Sequence, residues 1–207
     1  MRFKAFTVTQ ADFDSWVAHQ QTPAVGAAPP TPTVAPSIGA GAGSPAASAS
    51  VPNAATPVGA TVTQAGFVSF PREKLPAHAV PQTPLPARLA FDDNTLSGGN
   101  AANGAKLVQT GMCIACHTVR GVPTMQAILG PNLTHLATRT TIAAGLYPND
   151  ARHLARWIKN APAMKPGIIM PAFGVGEYDP VTLKGPVKIG FTDQQIADIV
   201  AYLSSLK

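Results

Sequence analysis

The 207-residue chain has little of several things. It has two cysteines, 12% charged residues and 6% aromatic residues. No run approaches the ~20 apolar residues that a bilayer-spanning helix needs. A cleavable leader is not evident either. Met1-Arg-Phe-Lys begins like one, but Thr7-Val-Thr-Gln-Ala-Asp interrupts any apolar stretch. The most consequential absence runs from Thr22 to Gln64. These 43 residues hold no charge and no aromatic ring, but include 12 Ala, 8 Pro, 6 Thr, 5 Gly and 4 Ser. Such a segment cannot bury enough apolar surface to offset its ordering entropy, so it reads as a disordered linker. The compact domain is then expected at 98–207, 110 residues. A domain that small often relies on an added staple such as a cofactor.

Charge is unevenly placed. Residues 1–97 carry five Lys/Arg and five Asp/Glu, whereas residues 98–207 carry ten and five, so the formal +5 sits in the C-terminal half. The basic residues are scattered, with no cluster interleaved with aromatics, which argues against nucleic acid. An acidic protein partner fits better, because opposite charge steers weak encounters.

The pattern along the chain is mostly helical. Phe3 to Thr9 alternates like a strand, and Asp12 to His19 reads as a short helix with Phe13, Trp16 and Val17 on one face. Residues 65–97 remain proline-rich and predict extended chain with hydrophobic residues resting on a domain surface. Asn100 predicts a cap for a helix through Thr110. Asn132 predicts another cap, for a short helix containing Leu133 and Leu136. Asn149 precedes a segment in which Leu154, Trp157 and Ile158 share a face. Thr192 and Gln195 form a capping box before Ile196, Ile199, Val200, Leu203 and Leu206. Three to five short helices, long loops and almost no sheet are expected.

Both cysteines lie in Cys113-Ile-Ala-Cys116-His117. This C-x-x-C-H run is the attachment signature of c-type haem. Two thiols one turn apart can add to the two vinyl groups on one porphyrin edge, and the following histidine can place a ring nitrogen on the iron. A disulfide here would close only a tiny loop and stabilise little. A thioredoxin-like pair needs a βαβ setting that the pattern does not show. Zinc needs two further ligands at sensible spacing. For the second axial position the candidates are Met112, Met125, Met164, Met170 and the histidines. Met112 adjoins the attachment turn on the same side as His117, and Met125 is close in sequence. Met170 lies in Lys165-Pro-Gly-Ile-Ile-Met-Pro, an extended proline-punctuated loop, and is the leading candidate. Met164 comes second, and His135 and His153 would give bis-histidine ligation.

The order Cys113-Ile-Ala-Cys-His, Gly130-Pro-Asn-Leu, Trp157-Ile, Lys165-Pro-Gly…Met170-Pro and Tyr202-Leu resembles a class I cytochrome c over residues 98–207. The resemblance implies an all-α fold around one covalently bound haem c. It implies that Pro131 offers its carbonyl to His117, that Trp157 stands near the methionine side of the haem, and that Gly104 and Val108 meet Ile199 and Tyr202 at a helix crossing. The stretch Gly130 to Gly145 is similar to the cytochrome c domain fused to subunit II of some bacterial cytochrome c oxidases. Residues 1–20 are similar to the C-terminal remnant of that subunit's cupredoxin domain, with Met1 at a copper-ligand position. The loop cysteines and histidine of that copper centre are missing, so this chain would not bind copper. Residues 174–190 depart from the family pattern as a Gly- and Pro-rich excursion, and Asn160-Ala-Pro replaces a more direct Asn-Pro.

The division expected is therefore 1–20 copper-domain remnant, 21–97 linker and 98–207 cytochrome domain. The implied role is electron transfer from a donor protein toward the oxidase copper domain and catalytic subunit, on the periplasmic side of the inner membrane. Any membrane attachment would come from helices upstream of Met1. With His117 and Met170 filling both axial positions, no bond chemistry is expected at the iron. Three rival readings stand beside this one: a free periplasmic carrier, a thiol–disulfide oxidoreductase using Cys113 and Cys116, and a haem peroxidase.

Overall fold

The computed structural model of the chain describes residues 7–26, 80–180 and 186–207. Most of the expected linker, and the first half of the expected N-terminal strand, lie outside these residues. Thr7 to Thr9 are irregular, and helix α1 then runs Gln10–Gln20, longer than the short helix predicted. It is followed by α2 Ala101–Thr110, α3 Ala151–Met164 and α4 Asp193–Leu203. Short 3-10 turns lie at Asp93–Gly98, Met112–Ala115 and Leu136–Thr138. A two-stranded antiparallel hairpin, β1 Thr141–Ile142 with β2 Tyr147–Pro148, was not anticipated. Strands of two residues are too short to show alternation. Their turn puts Ala143, Ala144 and Gly145 at φ of 56, 61 and 81°, a left-handed path that alanine does not advertise.

Helices α2 and α4 form the frame. Asn100 Oδ1 accepts from the amides of Ala102 and Asn103 at 2.9 and 3.1 Å, as a cap should. The Asn100 amide donates to Asp198 Oδ1 at 2.8 Å, tying the start of α2 to α4. The capping box of Thr192 and Gln195 is formed. Ile196, Ile199, Val200, Leu203 and Leu206 are all buried. Gly104 stands at the crossing, where an added Cβ would lie 1.9 Å from the Asp198 carbonyl oxygen and 2.9 Å from Tyr202 Cβ. Only glycine permits so close an approach. Gln109 Nε2 donates to Tyr202 Oη at 3.1 Å within the same contact.

One expected cap is corrected, and the cap of α3 is identified. Asn132 starts no helix: its Oδ1 accepts from the Thr134 amide at 2.9 Å, an Asx turn, and the 3-10 turn begins only at Leu136. The cap of α3 is Asp150, whose carboxylate accepts from the His153 amide at 3.0 Å. Asn149 is buried instead and donates through Nδ2 to the carbonyls of Leu136 and Arg139. Helix α3 breaks at Asn160, with φ −154° and ψ 79°. Pro162 has no N–H for the Ile158 carbonyl. Asn160 Oδ1 re-caps the last turn by accepting from the Ala163 amide at 3.1 Å.

The core reaches upstream of residue 98. Leu89 and Phe91 are buried, and Leu85 and Leu96 pack beside them, in keeping with extended chain resting on a domain. Arg156 is only 7% exposed. It donates to Asp93 at 2.7 Å and to the Phe91 carbonyl at 3.0 Å, while Arg152 reaches the other Asp93 oxygen at 2.6 Å. The Arg156 hydrogen bond, foremost, holds the Asp93 carboxyl below its ordinary value of 3.8, against an opposing push from burial. A depressed carboxyl stabilises the fold above its unfolded pKa, and that share is lost as pH falls through the folded value. Asp93→Asn should therefore lower unfolding free energy by ~1–2 kcal/mol at pH 7. In urea titrations the gap from the parent should close as the pH drops below about 4.

Candidate functional site

The C-x-x-C-H run begins at the end of α2 and turns through Met112–Ala115. The amides of Cys116 and His117 both donate to the Cys113 carbonyl, at 3.2 and 3.0 Å. This tight wrap puts the two thiols and the imidazole on one short stretch of rigid backbone. Cys113 and Cys116 are free and half-buried. Burial pushes the Cys113 thiol up to about 11. That is the reverse of what a reactive redox dithiol needs, and it disfavours the oxidoreductase reading.

His117 Nδ1 lies 2.8 Å from the Pro131 carbonyl oxygen. A carbonyl can only accept, so the proton sits on Nδ1 and the lone pair on Nε2, the nitrogen left for a metal. The carbonyl is braced from both sides. Before it, the Gly130 amide donates to the Cys116 carbonyl at 2.6 Å. After it, the Arg139 guanidinium donates to the Asn132 carbonyl. Asn132 also accepts from the Thr134 hydroxyl, which in turn accepts from the Arg120 amide at 2.8 Å. Gly130 is obligatory for this approach. A Cβ there would fall 2.6 Å from His117 Cε1 and 2.7 Å from Nδ1. Sequence reading found Pro131 but missed Arg139, Thr134 and the steric role of Gly130. The only hint was the Gly-Pro-Asn run itself.

The second loop leaves α3 at Met164. Met164 is buried, and its carbonyl accepts from Tyr147 Oη at 2.9 Å. Met125 is fully buried and Met112 is 40% exposed. Met170 is half-buried, beyond a turn at Gly167 with φ 82°. The loop is re-anchored after Met170 by an Asn160–Ala172 bridge and by the Phe173 amide, 3.1 Å from the Lys159 carbonyl. Trp157 is partly buried against the core. The excursion near 174–190 is held by Asn160 Nδ2, which donates to Glu177 at 3.1 Å and to the Tyr178 carbonyl at 2.9 Å. His153 pairs with Asp150 at 2.8 Å, and His135 is buried.

These residues fit a c-type haem. Two unlinked thiols precede an imidazole whose tautomer presents Nε2, and a glycine allows the bracing loop against that ring. Large apolar side chains on the two loops, Ile128 and Leu129 beside Gly130 and Ile169 beside Met170, are exposed by 94, 65 and 79%, which suits a large apolar ring. Among the described residues no helix is long and apolar enough to cross a membrane.

The chain is 30% identical over 107 residues to cytochrome c oxidase subunit 2 of Alkalihalophilus pseudofirmus, covering 52% of this chain and 26% of that protein. The match thus spans about a quarter of that relative's length. Among solved structures it is similar to SoxXA from P. pantotrophus, at 26% identity and a TM-score of 0.41, covering 60% of this chain and 98% of that one. The cytochrome c family model matches residues 101–207. That range takes in the thiol pair, His117, the bracing loop and the Met170 loop. With more than half of its length matched, the chain belongs to the cytochrome c family, whose domain carries covalent haem for electron transfer.

Proposed function

We propose that this chain is the electron-transfer module of an oxidase subunit II, holding one haem c and delivering electrons toward the oxidase copper domain on the periplasmic side of the membrane. The observation that carries the haem reading is the His117 imidazole, fixed by the Pro131 carbonyl directly after two free thiols. The oxidase assignment is supported by the similarity to the subunit 2 relative and by the resemblance of residues 1–20 to a copper-domain terminus. An upstream part of a longer protein would supply the copper ligands and the membrane helices.

Bound haem c supplies reversible one-electron redox chemistry. The chain's own part is to hold and tune it. Cys113 and Cys116 would provide the two thioether links, and His117 Nε2 and the Met170 sulfur would hold the iron. The Pro131 carbonyl keeps the proton on His117 Nδ1 and raises the basicity of the ligating nitrogen. A thioether is a soft neutral ligand that favours ferrous iron and a high potential. Trp157 is assigned to the methionine side. With His117 and Met170 both holding the iron, no place would be left for a substrate, which favours electron transfer over peroxidase chemistry.

The test is ligand replacement. Met170→Ala should abolish the sulfur–iron charge-transfer band of the ferric protein and open the site to azide or carbon monoxide. Met170→His should stay low-spin and lower the midpoint potential. Met164→Leu should leave the band intact, because the buried Met164 side chain packs in the core. A band lost with Met164→Leu and kept with Met170→Ala would reverse the assignment. The oxidase role is tested separately, by mixing the reduced protein with an oxidase whose own cytochrome domain is removed. Rapid reoxidation is expected, and none would leave a free carrier as the better reading.

A further inference from the structure

The N-terminal segment does not stand apart from the cytochrome domain. Helix α1 buries none of its own residues, and it is held by its last turn and the chain that follows. Ala24 is buried. The Val25 amide donates to the Lys207 carbonyl at 3.0 Å, and the Arg120 guanidinium donates to the Gln21 carbonyl. At the centre, His19 on α1 lies over His135 of the domain, with ring centroids 4.3 Å apart and planes tilted by 42°.

The two rings are oddly provided for. His135 is 3% exposed. Its Nε2 lies 3.2 Å from the Thr22 carbonyl oxygen, so that nitrogen carries the proton and donates. His135 Nδ1 and His19 Nε2 are then both buried without a hydrogen-bond partner. Protonating His19 at its buried, unpartnered Nε2 would bury an N–H with no acceptor and a charge with no counter-ion against the His135 ring, a costly combination. We propose that the face formed by Arg120, His135 and Ser205–Lys207 is a docking surface for residues 19–26 of this same chain, and that the dock is closed when His19 is neutral and opens when it is protonated.

The charged neighbours favour this direction. The domain side contributes the guanidiniums of Arg120 and Arg139, the latter on the Asn132 carbonyl. The C-terminal side contributes the Lys207 side chain, and α1 contributes Asp12 and Asp14 in its first half. Among the described residues no carboxylate ion-pairs with either ring. Burial first, and then the His135 ring, hold His19 below the ordinary imidazole value of 6.5. A histidine lowered in the docked state disfavours docking once the free state protonates. Docking is therefore complete above about pH 6.5 and weakens as the pH falls toward the docked value. Both surfaces belong to one chain, so release is independent of protein concentration.

The experiment is amide hydrogen exchange over residues 10–26 of the haem-loaded protein, at pH 8 and pH 5.5. Each rate is normalised to that of the isolated peptide 7–26. Protection should fall by up to about tenfold between the two pH values, the ceiling that one proton with a free-state value near 6.5 sets at pH 5.5. His19→Phe keeps an aromatic stack, perturbs only a half-buried side chain, and should weaken the pH dependence. His19→Phe/His135→Phe should hold protection at both pH values. Equal protection of the parent at both pH values would overturn the proposal. So would an undiminished pH dependence in the double variant, since a group other than the two rings would then be responsible. The haem spectrum serves as the folding control throughout.

Discussion

Cys113→Ala/Cys116→Ala should give a colourless chain, with loss of all covalently held haem. The parent should keep its colour through acid-acetone extraction and show haem on a denaturing gel. The double variant should show none. The expected effect is complete because each thioether link needs a cysteine sulfur, and this chain has no other cysteine. Both thiols are free and half-buried on a turn pinned by the Cys113 carbonyl, so alanine should leave the local backbone unchanged. Cys116→Ala alone should keep one link and retain part of the haem. Haem that extracts from the unmodified protein would defeat the reading, whatever its spectrum.

Gly104→Ala should be the most destabilising single substitution of this kind in the helical frame. Its Cβ would meet the Asp198 carbonyl at 1.9 Å, the carbonyl carbon at 2.5 Å and Tyr202 Cβ at 2.9 Å. Two of these atoms are backbone and cannot swing away, so α2 and α4 must separate. Overpacking of that sort costs ~3 kcal/mol or more. For a domain near 100 residues this is a fall in Tm of about 15 °C. The Asn100–Asp198 and Gln109–Tyr202 hydrogen bonds cross the same interface and would be stretched with it. Gly167→Ala is the contrast. Its φ is 82° but an added Cβ would meet nothing within 4 Å, so the cost is confined to backbone conformation, about 1 kcal/mol. Thermal melts of the two variants separate steric from conformational demand. A Gly104→Ala melt within a few degrees of the parent would show that the crossing can relax.

Local rules worked where a partner lay close in sequence. The caps at Asn100 and Thr192 were legible because a cap and the amides it serves are two or three residues apart. The same closeness explains Asn132, where an Asx turn satisfied the amide of Thr134 before any helix could begin. At Asp150 two adjacent cap-forming residues competed, and burial of Asn149 between Leu136 and Arg139 decided which one capped. Nothing near Asn149 in the sequence reveals those carbonyls. Arg139 was similarly silent. It lies seven residues from the carbonyl it holds, in a stretch with no helical or strand period to relate them.

The sequence by itself determined the chemistry and the frame. Cys113, Cys116 and His117 are contiguous, so their geometry follows from one turn, and α4 announces its buried face through spacing alone. What only the tertiary structure decided is how separate stretches meet. The tautomer of His117 depends on Pro131, fourteen residues away, and on a glycine that lets the loop close. The path toward Met170 depends on a break at Asn160 re-capped by its own side chain. The fate of residues 7–26 depends on His19 finding His135 across more than a hundred residues. Hydrogen-bond donors, acceptors and packing partners are satisfied by whatever is near in space, and a linear pattern carries that information only when near in space also means near in sequence.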